Sequence, residues 1–103
     1  MRYDVVVKGG GRVELAAYGL ADAEHQVEKE ILAAWPEARI SVTDVSRVDP
    51  EQRIVEEFAI RYRVSGSVTV SAESDTEARR LALRGLRDRF EGTRFARIVW
   101  DPA

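Results

Sequence analysis

Apolar and polar residues alternate from the start of the chain. Tyr3, Val5 and Val7 fall on one side of an extended backbone, with Arg2, Asp4 and Lys8 between them. This period of two predicts a strand with one buried face. Gly9-Gly10-Gly11 follows. Glycine reaches the positive φ values that tight turns need, so the run predicts the turn of a hairpin. Val13, Leu15 and Ala17 then predict a second strand. Next the period changes: Ala23, Val27, Ile31, Ala34 and Trp35 recur at helical spacing among Glu24, Glu28, Lys29 and Glu30. The spacing predicts an amphipathic helix over about 20–35, closed by Pro36. Ile40, Val42 and Val45 predict a third strand.

The same pattern then returns, offset by 55 positions. Tyr3 corresponds to Phe58, Val5 to Ile60 and Val7 to Tyr62; Gly11-Arg12-Val13 corresponds to Gly66-Ser67-Val68. Leu15 corresponds to Val70, Ala17 to Ala72, Ala23 to Ala78, Ile31 to Leu86 and Trp35 to Phe90. The second unit therefore predicts strand residues Phe58, Ile60, Tyr62 and Val64, a turn near Ser65-Gly66, and a strand through Val68, Val70 and Ala72. A helix over about 75–90 follows, with Ala78, Ala82, Leu86 and Phe90 as its stripe. Ser74 and Glu77 form a capping-box pair at its start, and Gly92 stands where a helix end favours a left-handed residue. Ala96, Ile98 and Trp100 predict the last strand.

The fold class expected is α+β: a two-layer sandwich of a tandem ββαβ repeat (ββαβββαβ), with an antiparallel-rich sheet and both helices on one face. The chain reads as a single domain, 1–103, built of two repeats at about 1–48 and 53–103. Asp49-Pro50-Glu51-Gln52 reads as a turn joining strands 38–48 and 53–64 in a long antiparallel hairpin. The other sheet face is mixed, with Arg61, Arg63 and Thr69 beside Val6 and Val55. It is either solvated or covered by another subunit.

Composition narrows the function classes. The 103 residues are 45% hydrophobic and 33% charged, which suits a folded domain with one core. The absence of cysteine excludes disulfides, thiolate zinc sites and a thiol nucleophile. No apolar run approaches the roughly 20 residues of a membrane span. The first residues read as a strand rather than a signal peptide, so a cytoplasmic protein with no membrane partner is expected. The net charge of −2 is unevenly spread. Residues 1–51 hold 6 basic and 10 acidic side chains, and residues 52–103 hold 10 and 8. Such asymmetry can steer a partner or self-association. It is far from the strongly basic balance of a nucleic-acid binder.

Few residues suggest chemistry. His25, with Asp22 and Glu28 three residues to either side, shares only part of a helix face with them, which reads as a solvated histidine rather than a metal site. Lys8-Gly9-Gly10-Gly11-Arg12 places two cations around glycine amides, a possible anion nest, but a hairpin turn explains the glycines. Arg79, Arg80, Arg84, Arg87 and Arg89 crowd the second helix, followed by Arg94 and Arg97. Asp75, Glu77, Asp88 and Glu91 share that region, and Arg84 and Asp88 form an i,i+4 pair. A salt-bridged solvent face, or an interface with the acidic first half of another copy, accounts for them. Trp35 ends an apolar stripe and reads as core, while Trp100 lies near the terminus. Glu56 and Glu57 are strand neighbours pointing to opposite faces and do not form a carboxylate pair. No nucleophile, base and orienting group assemble. The expectation is no enzyme, with no catalytic residue, cofactor or metal.

The stretch Val45-Ser46-Arg47-Val48-Asp49-Pro50-Glu51-Gln52-Arg53-Ile54-Val55-Glu56, continuing through Ile60, Tyr62 and Val64 after a helix, resembles the helix and long hairpin of the dodecins. These are small flavin-binding proteins whose subunits assemble into hollow shells. The resemblance covers residues 20–64 and implies a fold and a tendency to assemble. It does not carry flavin binding over. Where the family has its flavin-stacking tryptophan this chain has Ala38-Arg39-Ile40-Ser41, and its flavin-contacting glutamine falls near Asp44.

The function expected is therefore a non-catalytic assembly or protein-interaction module, acting as a homo-oligomer or with a protein partner. Edge strands that must be paired or protected point the same way. One alternative is a small-ligand, flavin-like binding protein using a cleft between repeats. The other is nucleic-acid binding through the second helix, which the charge balance disfavours. The interaction candidates are Arg79, Arg80, Arg84, Arg87, Arg61, Arg63, Trp35 and Trp100.

Overall fold

The computed structural model describes residues 1–48 and 54–101. It is an α+β fold with the order β1 (Arg2–Ala17), α1 (Leu20–Ala34), β2 (Arg39–Arg47), β3 (Glu56–Ser71), α2 (Asp75–Phe90) and β4 (Val99–Trp100). The four strands form one antiparallel sheet in the order β2-β3-β1-β4. Each helix thus connects two strands that have a strand of the other half between them, a split β-α-β connection.

The six-strand expectation is corrected to four. Neither Gly9-Gly10-Gly11 nor Ser65-Gly66 turns the chain. Both lie inside uninterrupted strands, β1 and β3, each 16 residues long. These two strands pair along their whole length, from Arg2 opposite Ser71 to Ala17 opposite Glu56. Sixteen residues at about 3.4 Å each span roughly 54 Å, and the molecule measures 55 × 21 × 21 Å. The β1–β3 ribbon sets its length.

The glycines serve close approach rather than turning. Gly92, just past α2, is the one described residue with positive φ, at 80°. A Cβ on Gly9 would lie 2.8 Å from Cε3 of Trp100, and one on Gly11 would lie 2.9 Å from the Tyr62 hydroxyl. Glycine in a strand interior often marks such a site.

The helices match the expected spans to within one residue. Ser74 Oγ accepts a hydrogen bond from the Glu77 amide at 3.2 Å, forming that half of the capping box. β2 and β3 pair antiparallel as the hairpin reading requires. Its turn at 49–52 lies outside the described residues. The last strand is shorter than expected: Ala96 and Ile98 precede β4, and only Val99 and Trp100 pair with β1.

Alternation decides which strand positions are covered. Val7, Val13, Leu15 and Ala17 of β1, and Phe58, Ile60, Tyr62 and Val64 of β3, are buried in one cluster with the apolar stripes of both helices. α1 begins just past the end of β1 and α2 just past the end of β3. Because β1 and β3 are antiparallel, the helices start at opposite ends of the ribbon and run back toward its middle. There Trp100 meets both, with ring centroids 6.1 Å from Trp35 at the end of α1 and 6.1 Å from Phe90 at the end of α2. Phe95 closes on Tyr62 edge-on at 5.3 Å. Such aromatic pairs add about 0.5–1.5 kcal/mol each beyond the area they bury.

Candidate functional site

Two surfaces stand out: the free edge of β1 and the uncovered face of the sheet. The edge follows from the shortness of β4. Val99 pairs with Gly10 and Trp100 with Gly9, and the Asp101 amide donates to the Lys8 carbonyl at 2.8 Å. Among the described residues, nothing pairs with the same side of β1 from Arg2 to Val7. That stretch lies against α2 instead. A cavity of about 390 Å³ is lined by Tyr3, Val5, Asp75, Ala78 and Arg79, and a smaller one of about 60 Å³ continues past Leu83 to Asp101. The edge carries no proline and no bulge, and Val5-Val6-Val7 strongly favours extended backbone. Val6 is 66% exposed.

β2, the other outer strand, is different. Its register with β3 shifts between Val42 and Asp44, and Arg39, Asp44 and Arg47 are exposed along it. A bulge and charges are standard protections of an edge.

The uncovered sheet face collects cations from three strands. Arg12 stands directly opposite Arg61, which has Asp44 on its other side. One step along, Gly10 stands opposite Arg63, with Ser41 beyond; the next such row holds Lys8, Ser65 and Arg39. Arg63 crosses the space above Gly10 to reach Asp101 at 2.6 Å. A Cβ on Gly10 would sit 3.0 Å from Arg63 Cδ, so the glycine makes this crossing possible. Arg12 pairs with Glu14 at 2.9 Å. A cavity of about 310 Å³ opens among Gly10, Arg12, Thr43, Arg61 and Arg63, with the β2 bulge placing Thr43 at its rim.

The interaction candidates do not form one site. Arg61 and Arg63 lie together on the uncovered face. Arg79, Arg80, Arg84 and Arg87 are exposed on α2, which packs against the other face; Arg79 alone reaches the β1 groove. Trp35 is fully buried, as its place in the helix stripe predicts, and Trp100 is half-buried beside it. The anion nest at Lys8–Arg12 is corrected: an extended strand runs through those glycines, and the cations belong to the sheet face. Arg12 and Gly10 gain their role from cross-strand register, which the nest reading did not contain. The opposition of Arg12 to Arg61 emerges only once β1 is read as one strand.

His25 is exposed. Asp22 accepts hydrogen bonds from the Tyr18 amide at 3.0 Å and from Gln26 at 3.2 Å. Among the described residues no three His, Cys, Asp or Glu side chains are arranged to hold a metal ion. No described helix is long and apolar enough to cross a membrane. Burial raises the Tyr62 hydroxyl pKa to about 12. No family model, curated protein or solved structure matches the chain.

Proposed function

We propose that this protein is a non-catalytic assembly module that joins a protein partner, foremost a second copy of itself, by adding a strand to the open edge of β1. The observation that carries this reading is the unequal treatment of the two outer edges. β2 is bulged, whereas the Arg2–Val7 stretch of β1 keeps an unshifted register, holds Val5-Val6-Val7 and is flanked by a groove. Strand addition supplies main-chain hydrogen bonds to such an edge, with pockets for alternate side chains.

Charge favours a second copy. α1 carries Asp22, Glu24, Glu28 and Glu30 against Lys29, and α2 carries Arg79, Arg80, Arg84, Arg87 and Arg89 against Asp75, Glu77 and Asp88. The basic α2 that flanks the β1 edge attracts the acidic α1 of another copy. Assembly is also what the resemblance to dodecins implies. We also read the chain as two copies of one strand–helix–strand unit in two layers. Its helices begin at Leu20 and Asp75, 55 positions apart.

Sedimentation equilibrium tests the proposal. The expected result is a concentration-dependent oligomer for the native chain and a monomer for Val6→Lys, whose exposed charge blunts the edge without touching the core. A native chain that stays monomeric at several hundred micromolar, with no partner recovered, overturns it.

A further inference from the structure

The geometry points to a binding site for phosphate groups on the uncovered sheet face, centred on Arg12, Arg61 and Arg63. Three successive cross-strand rows hold five cations: Lys8, Arg12, Arg39, Arg61 and Arg63. The carboxylates on or beside those rows are Glu14, Glu37, Asp44 and Asp101, four against five cations, leaving a small local excess of positive charge. Neighbouring strands are about 4.8 Å apart and alternate residues along a strand about 7 Å apart, so the cations form a grid on that scale.

The arrangement has a structural cost. Like charges directly opposite one another in a sheet are destabilising, yet Arg12 faces Arg61. Beyond these rows the same face also carries neutral residues, including Ser46, Ser67 and Thr69. Among the described residues, Arg61 has no carboxylate partner within ion-pair distance, although Asp44 is its cross-strand neighbour. The two arginines that are paired are about half exposed, and such surface pairs are weak. A phosphate dianion therefore has little to displace. Guanidinium forks match its oxygens in a bidentate way, and Glu14 and Asp101 hold two of the forks in place until it arrives. Gly10 leaves room for the Arg63 side chain to lie across the cavity floor, and the bulge brings Thr43, a further hydroxyl donor, to the rim.

Tripolyphosphate titrated calorimetrically into the native chain, and a fluorescently labelled single-stranded oligonucleotide followed by anisotropy, test the site and separate its two sources of phosphate. Binding of tripolyphosphate alone assigns a small phosphorylated ligand. Binding of the oligonucleotide as well, weakening steeply with salt, assigns a nucleic-acid backbone. In either case Arg61→Ser weakens binding at least tenfold, while Arg84→Ser on α2 leaves it unchanged. Without ligand, Arg61→Ser melts no lower than the native chain, because it relieves the opposition to Arg12. Failure of both probes to bind at millimolar concentration overturns the site, as does equal loss in Arg61→Ser and Arg84→Ser.

Discussion

The indole of Trp35 occupies the space that a side chain at position 66 would need: a Cβ built on Gly66 lies 2.6 Å from Trp35 Cζ2 and 3.1 Å from Cη2. Trp35 ends α1 and is fully buried, whereas Gly66 lies in the interior of β3. The pair fixes where the helix end meets the sheet. The Glu37 carbonyl, 3.2 Å from the same point, closes the other side. Gly66→Ala must push backbone or ring aside, and overpacking of this kind costs about 1–3 kcal/mol. In a domain of this size that lowers Tm by at least about 4 °C. The alanine should cost less in a Trp35→Leu background, where the ring is gone. Thermal melts of the two single variants and the double variant check both expectations; equal losses in the two backgrounds count against the contact.

The same pair shows what the sequence made legible and what it hid. The helices were readable to within a residue because both carry unbroken stripes, Ala23–Val27–Ile31 and Ala78–Ala82–Leu86–Phe90. The long strands were not. Glycine is the commonest sign of a turn, but it is also the residue that lets a ring lie on a strand, and Gly9, Gly11 and Gly66 do the second. One signal was available. Odd-numbered residues from Tyr3 to Ala17 keep one face without a break in phase, and charged or exposed residues hold most even positions on both sides of the glycines. The Arg12–Arg61 opposition and the unprotected β1 edge depend on register and strand order, which local pattern does not specify.

Loss of the helix cap should be felt at the start of α2. Ser74 accepts from the Glu77 amide, while Asp75 and Glu77 place negative charge in the first turn. Ser74→Ala removes the acceptor and leaves an amide at the helix end without it, at a cost of about 1 kcal/mol. Because α2 forms one wall of the groove beside β1, hydrogen exchange should quicken in the first turn of α2 while β2 is unaffected. Uniform quickening across the molecule would place the effect elsewhere.

Gly85 offers the reverse case. It sits inside α2, is exposed, and has nothing within 4 Å of the position its Cβ would take. Helix interiors favour alanine over glycine by about 0.5–1 kcal/mol. Gly85→Ala should therefore raise Tm by a few degrees with an unchanged oligomeric state, since it touches neither the β1 edge nor the core. A melt that stays level or falls would mean that the glycine serves a contact beyond this chain.

Alkaline pH should weaken the fold through Tyr62. Tyr62 is buried with its hydroxyl beside Gly11, and desolvation raises its pKa from 10.0 to about 12. In the unfolded chain the same group ionises near its ordinary value. Below pH 10 the neutral phenol is present in both states and the folded form keeps its full stability. Between pH 10 and 12 the unfolded chain loses the proton while the folded chain retains it, so stability falls as pH rises. An ultraviolet titration should show a tyrosine that ionises only near pH 12. Tyr62→Phe removes the titrating group while keeping the ring against Phe95, and its Tm should decline less between pH 9.5 and 11.5 than that of the native chain. Parallel declines for the two chains would exclude Tyr62 as the source of alkaline sensitivity.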